Sequence, residues 1–149
     1  MVDNNELYHF GVQGQKWGLR RWQNEDGSLT PAGVQHYGRK YSRGISRIKK
    51  KEARSAVFKT RGTKRQYKAD KYALKADRAV TDIGYRRKTR KALKKKRRAS
   101  RMLWKAEKSN NQAIKIYKNL ETKFKDIPMS ALNKADVDYG KKYANKVLY

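Results

Sequence analysis

Midway along the chain stands the run Arg86-Arg87-Lys88-Thr89-Arg90-Lys91-Ala92-Leu93-Lys94-Lys95-Lys96-Arg97-Arg98, with Arg101 one turn further on. Ammonium and guanidinium groups at this density do one kind of chemistry well, which is to meet a polyanion. Duplex DNA offers a phosphate charge about every 1.7 Å along its axis, and neutralising those phosphates releases counterions. Wound into a helix, these cations surround most of the circumference, so the helix cannot be buried on all sides. Base edges are read by groups such as Asn and Gln placed to reach them, and the run contains neither. The expected ligand is therefore nucleic acid, DNA foremost, gripped without regard to sequence by Arg86, Arg87, Lys88, Arg90, Lys91, Lys94, Lys95, Lys96, Arg97, Arg98 and Arg101. A solvated helix, or one held by an acidic protein, is the plainer alternative. Tyr67, Tyr72, Tyr85 and Trp104 lie among the cations. Such rings can stack bases, but on helices they are expected to fill a seam.

A second constellation precedes the run: Tyr8-His9-Phe10-Gly11-Val12-Gln13-Gly14-Gln15-Lys16-Trp17-Gly18-Leu19-Arg20-Arg21-Trp22-Gln23-Asn24. Aromatics interleaved with glycines describe a compact irregular knot, since glycine permits backbone angles closed to other residues. Two readings stand. One is a loop pinned by its rings onto the rest of the fold. The other is a docking module that offers Gln15, Lys16, Trp17, Arg20, Arg21 and Trp22 to a protein partner, Trp and Arg being the types that most often carry interface energy.

The stretch Gly14-Gln15-Lys16-Trp17-Gly18-Leu19-Arg20-Arg21, followed by Gln23-Asn24-Glu25-Asp26-Gly27-Ser28-Leu29-Thr30, resembles a short module of bacteriophage and prophage proteins from Gram-positive hosts. The likeness covers roughly the first quarter of the chain and is continuous. It departs at Trp22, where the module has a tyrosine, an exchange that keeps the aromatic surface. Proteins with this module are encoded mostly among head and other structural genes. The resemblance thus implies a phage origin and a phage structural protein as partner, and says little about biochemical activity.

Catalysis has few candidates. His9 and His36 are the only histidines, and neither has a second histidine or a carboxylate at metal-ligand spacing. Asp136 and Asp138 are too close in sequence to share a helix face. No phosphate-cradling Gly-Lys loop occurs, and Gly11 and Gly14 lack a strand–helix frame. With no cysteine, disulfides and thiolate metal sites are excluded. The expectation is a non-enzyme with no metal and no cofactor.

The elements that must position these residues follow from charge and periodicity. Lys and Arg total 40 against 13 acids, a net charge of +27, and residues 39–127 hold 33 of the cations and seven of the acids. Only 37% of residues are hydrophobic, so the core is thin, and self-repulsion calls for a polyanion or salt. A turn is expected at Asn24–Gly27 with a short hairpin around it. Thr30 caps a helix that Pro31 opens, with Val34, Tyr37, Tyr41, Ile45 and Ile48 on one stripe and Gly33, Gly38 and Gly44 allowing close packing. This helix is expected to end near Gly62. A second starts at Thr63 with Ala69, Ala73, Ala76, Val80 and Ile83 on a narrow face, and breaks at Gly84.

From Tyr85 the steps of four and three through Thr89, Ala92, Lys96, Ala99, Leu103, Ala106, Asn110, Ala113, Tyr117, Leu120, Phe124 and Ile127 describe a coiled-coil-like seam. That seam forms either one long helix or a hairpin folded at Ser109–Asn111. The same pattern pairs copies of a chain, so a homo-oligomer is among the expected partners. Pro128 stops the element. Ser130 starts a short amphipathic tail helix with Leu132, Ala135, Tyr139, Tyr143 and Val147 on one face.

The predicted class is mainly α: a docking module over 1–30, a basic helical region over 31–127, and a C-terminal helix over 128–149. No apolar run is long enough to span a bilayer, and the first residues lack the pattern of a secretory signal, so the expected location is the virion or the host cytoplasm. The expected function is that of a virion-associated structural protein. The alternative is an early phage protein that inhibits a host factor or a host nucleic-acid complex.

Overall fold

The computed structural model describes residues 22–148, apart from residues 25 and 27. The described chain is mainly α-helical: α1 (Pro31–Asp77), α2 (Asp82–Lys123) and α3 (Lys134–Leu148), with one 3-10 turn at Met129–Ala131. Two compact units divide it. One comprises the described residues up to Arg43 together with those from Phe124 onward, the other Gly44–Lys123. Gln15, Lys16, Trp17, Arg20 and Arg21 of the expected docking module lie outside the described residues; Trp22 lies within them.

The unit Gly44–Lys123 is an antiparallel helical hairpin. Going down α1, contacts climb α2 in reverse: Lys51 meets Ser109 and Gln112, Ser55 meets Ala106, Phe58 meets Lys105, and Tyr72 meets Lys95. The seam of α1 runs in steps of four and three through Gly44, Ile48, Lys51, Ser55, Phe58, Gly62, Arg65, Ala69, Tyr72 and Ala76, all buried or half-buried. Opposite it, α2 buries Ala92, Ala99, Ala106, Ser109, Ala113 and Leu120. Small residues at every seventh position let the two backbones approach closely, and the serines exploit that proximity. The Ser55 hydroxyl donates to the Ala106 carbonyl at 2.9 Å, and the Ser109 hydroxyl to the Lys51 carbonyl at 3.0 Å.

Several expectations are corrected here. The first helix does not end near Gly62 but continues to Asp77. Gly62 is the hole into which Leu103 fits: a Cβ at that position would stand 2.7 Å from the Leu103 Cδ2. The gain from this packing outweighs the roughly 1 kcal/mol that glycine costs a helix interior. The chain reverses at Arg78–Thr81 rather than at Gly84 or Ser109–Asn111. Gly84 lies in the first turn of α2, where its N–H donates to the Thr81 hydroxyl at 3.2 Å. Ala73, Val80 and Ile83 are exposed, unlike Ala69 and Ala76. The expected α2 seam holds at most of its positions and fails at a few. Ala92, Ala99, Ala106, Ala113 and Leu120 are buried and Thr89, Asn110 and Tyr117 half-buried; Tyr85 and Lys96 are exposed, Leu103 is partly exposed beside Gly62, and Lys88, Lys95, Met102, Ser109 and Ile116 join the seam from the adjacent positions. Lys88 and Lys95 are half-buried, as lysines are when their aliphatic stems cover apolar surface.

In the other unit, Thr30 caps α1 as expected, its hydroxyl accepting from the Gly33 N–H at 3.0 Å. The preceding turn joins Gln23 to Leu29 by an antiparallel bridge. Within it, the Ser28 hydroxyl donates to Asp26 at 2.6 Å and the Ser28 N–H at 2.9 Å. These two bonds, the hydroxyl's foremost, hold the Asp26 carboxyl below the ordinary carboxylate value. The backbone of Trp22 presses so closely on Gly33 that no side chain fits there, and the Trp22 ring stacks on His36 with centroids 4.3 Å apart. Tyr37 and Tyr41 pack edge-on against Phe124. Val34, expected on the buried stripe, is exposed.

α2 stops at Lys123, a turn before Pro128. Ser130 sits in the 3-10 turn and starts no helix; Asn133 begins α3, accepting from Asp136 and Val137 at 3.0 Å each through its carbonyl. The buried face of α3 is Val137, Gly140 and Tyr143, with Ala135 exposed.

Candidate nucleic-acid interface

All eleven cations singled out in the sequence lie on α2. Lys88 and Lys95 are half-buried in the seam, and the other nine are exposed. The helix holds them apart from acids: among the described residues of its first half, only Asp82 stands near, paired with Arg86 at 2.9 Å across one helical turn. A pair this exposed is worth little and leaves the field of the run intact. Lys95 places its ammonium group 5.1 Å above the Tyr72 ring, which ties the charge of α2 to the surface of α1.

Folding adds what the linear run did not contain. The contacts of Gly62 with Leu103 and of Tyr72 with Lys95 set residues 62–77 of α1, and Arg78 after them, alongside the run. Lys64, Lys68, Lys71, Lys75 and Arg78, all exposed, therefore join Arg86–Arg101 on one stretch of hairpin. These cations were overlooked because they are spaced among Tyr, Ala and Asp instead of forming a block. Their recurrence at three- and four-residue intervals, Lys64, Lys68, Lys71, Lys75 and Arg78, was the available signal.

The aromatic residues are not where a seam would put them. Tyr67 is 69% exposed, Trp104 57% and Tyr85 46%, and only Tyr72 is half-buried. The reason is register: Tyr67 and Trp104 fall on the faces of α1 and α2 that point away from the partner helix. Trp104 lies under the ammonium of Lys108 at 5.0 Å and lines an open groove of about 430 Å³ with Glu107, Lys108, Asn111, Gln112 and Lys115. Gln112 spends its side-chain carbonyl on Lys51, at 2.6 Å. An exposed indole beside cations is a surface on which a nucleobase can stack while its phosphates meet ammonium groups.

Near the C-terminal end of α2, burial pushes the Tyr117 phenol above its ordinary value, with the carboxylate of Glu121 adding to the shift. That phenol stays neutral at physiological pH and offers no charge to a ligand. Among the described residues no group of three His, Cys, Asp or Glu side chains is arranged to hold a metal ion, and no helix is long and apolar enough to cross a membrane. No family model, no curated protein and no solved structure matches the chain.

Proposed function

We propose that this chain is a phage-encoded structural protein that binds nucleic acid without sequence preference through its basic hairpin and recruits a protein partner through its N-terminal module. The observation that carries the binding half is the sharing of exposed cations between two helices. Nine from α2, four from α1 and Arg78 in the turn lie on one stretch of hairpin whose acids are Asp70, Asp77 and Asp82. A helix pair of this kind presents positive charge on two sides, so it can lie along one duplex or bridge two. Affinity arises from counterion release and falls steeply with salt. The phage half rests on the Gly14–Thr30 resemblance, and DNA held within or entering a particle is the polyanion such a protein would meet.

The test is a salt titration of duplex binding. Replacing Lys94, Lys95, Lys96, Arg97 and Arg98 by Gln is expected to weaken binding and to flatten the logarithmic salt slope by up to roughly 0.9 per lost phosphate contact. Trp17→Ala is expected to leave that slope unchanged and to abolish recovery of the partner from particles. An unaltered slope in the five-fold variant would overturn the binding reading. Equal effects of both changes on one activity would overturn the division of labour.

A further inference from the structure

At the reversal between α1 and α2 the chain does something its charge makes conspicuous. Val80 is fully exposed and Ile83 is 80% exposed, although the hairpin elsewhere has Ala69, Ala76 and Ala92 tucked into its seam. Tyr85, one step further along α2, is half in water. Around this apolar point stands a collar of exposed cations, Lys75, Arg78, Arg86 and Arg87. Of the two nearby acids, Asp82 is already engaged by Arg86 at 2.9 Å. Part of the hydrogen bonding of the turn is satisfied from within. The Thr81 hydroxyl accepts from the Gly84 N–H at 3.2 Å, and its carbonyl accepts from the Tyr85 N–H at 2.9 Å. The N–H groups of Val80, Thr81, Asp82 and Ile83 bond no acceptor among the described residues, so their backbone has to stay at the level of water or head-group oxygens while the side chains alone enter an apolar layer.

We infer that this turn is an end-on anchor for an anionic lipid surface, with Val80 and Ile83 entering the acyl boundary while the cationic collar holds the head groups. Aliphatic side chains combined with adjacent cations is the chemistry that binds such surfaces, and Tyr85 sits at the level where aromatic residues favour the water–lipid interface. Nucleic acid fits the turn less well. Phosphates gain nothing from Val80 or Ile83, and the major groove, about 12 Å wide, admits one helix but not two side by side, each about 10 Å across. A bilayer surface imposes no such limit on width. The flanks of the hairpin remain the proposed nucleic-acid surface, so the two ligands engage different parts of one element.

The chain has no cysteine, so single-cysteine labelling is clean. Full-length Val80→Cys and Ile83→Cys proteins carrying an environment-sensitive dye are mixed with vesicles of phosphatidylcholine and phosphatidylglycerol, with Lys64→Cys as the mid-hairpin control. Emission is expected to shift to the blue at 80 and 83 but not at 64, and not with phosphatidylcholine alone. In flotation, a Val80→Ser/Ile83→Ser double variant is expected to lose about tenfold or more of its partition into the anionic vesicles, with duplex-DNA affinity unchanged.

The anchor is overturned if the double variant floats like the parent, which would make the charge alone responsible. It is also overturned if all three dyes respond alike. Should the double variant instead lose duplex affinity and keep its lipid partition, the tip is a wedge for DNA and the assignment fails in favour of that one. Duplex binding measured in parallel separates each of these outcomes from failure of the nucleic-acid reading itself.

Discussion

A methyl group at Ala99 has none of its surface in water, while the Lys96 side chain, three residues earlier, stands in solvent. Two substitutions exploit the contrast. Ala99→Leu forces extra methylenes into a closely packed seam and is expected to cost about 1–3 kcal/mol in urea unfolding followed by helical circular dichroism. Lys96→Leu is expected to stay within about 0.5 kcal/mol of the parent. The reverse order would mean that the seam follows the other set of four-and-three steps. At Trp104, exposed beside Lys108, replacement by Ala is expected to weaken single-stranded oligonucleotide binding by about 1–3 kcal/mol if one base stacks there, and to leave unfolding nearly unchanged. Titration monitored by anisotropy of a labelled strand checks the first, thermal melting the second.

At the scale of elements, α1 depends on its entry. The Thr30 hydroxyl accepts from the Gly33 N–H, and Thr30→Ala is expected to cost about 1 kcal/mol, read as a lower midpoint in denaturant. The turn before it responds to acid. Because Ser28 holds the Asp26 carboxyl below its ordinary value of 3.8, Asp26 contributes fully above that pH and loses its contribution as the pH falls through the depressed value. The amide resonance of Ser28 is expected to shift over that acid window in the parent and to stay put in Asp26→Asn. A shift centred at or above the ordinary carboxylate value would show that the Ser28 bonds do not form.

The whole molecule is governed by its net charge of +27. Self-repulsion at this density opposes compactness, so the melting temperature is expected to rise as salt is added to dilute buffer. A short DNA duplex at low salt is expected to raise it further, by mass action on the folded state. A melting temperature indifferent to both would show that the cations neither destabilise the fold nor find the duplex. The same charge argues against copies of the bare hairpin packing flank to flank in the absence of a polyanion.

Much of this was legible in the chain itself. Helical class, the Thr30–Pro31 start, the stop before Pro128 and the basic run on α2 follow from local rules, because caps, prolines and charge blocks act within a few residues. The period of seven in Ala92, Ala99, Ala106, Ala113 and Leu120 was legible too. Which neighbours complete that seam was not, since Lys95 and Lys96 look alike in sequence and differ only in which one faces α1. Glycine misled for the same reason. Gly62 looked like an end and proved to be a socket, because only the opposing Leu103 gives its missing side chain a use. The reversal at Arg78–Thr81, and with it the exposure of Val80 and Ile83 and the alignment of the α1 cations with those of α2, was settled by long-range packing: the register in which two small-residue faces approach closest is a property of the pair, and neither helix carries it alone.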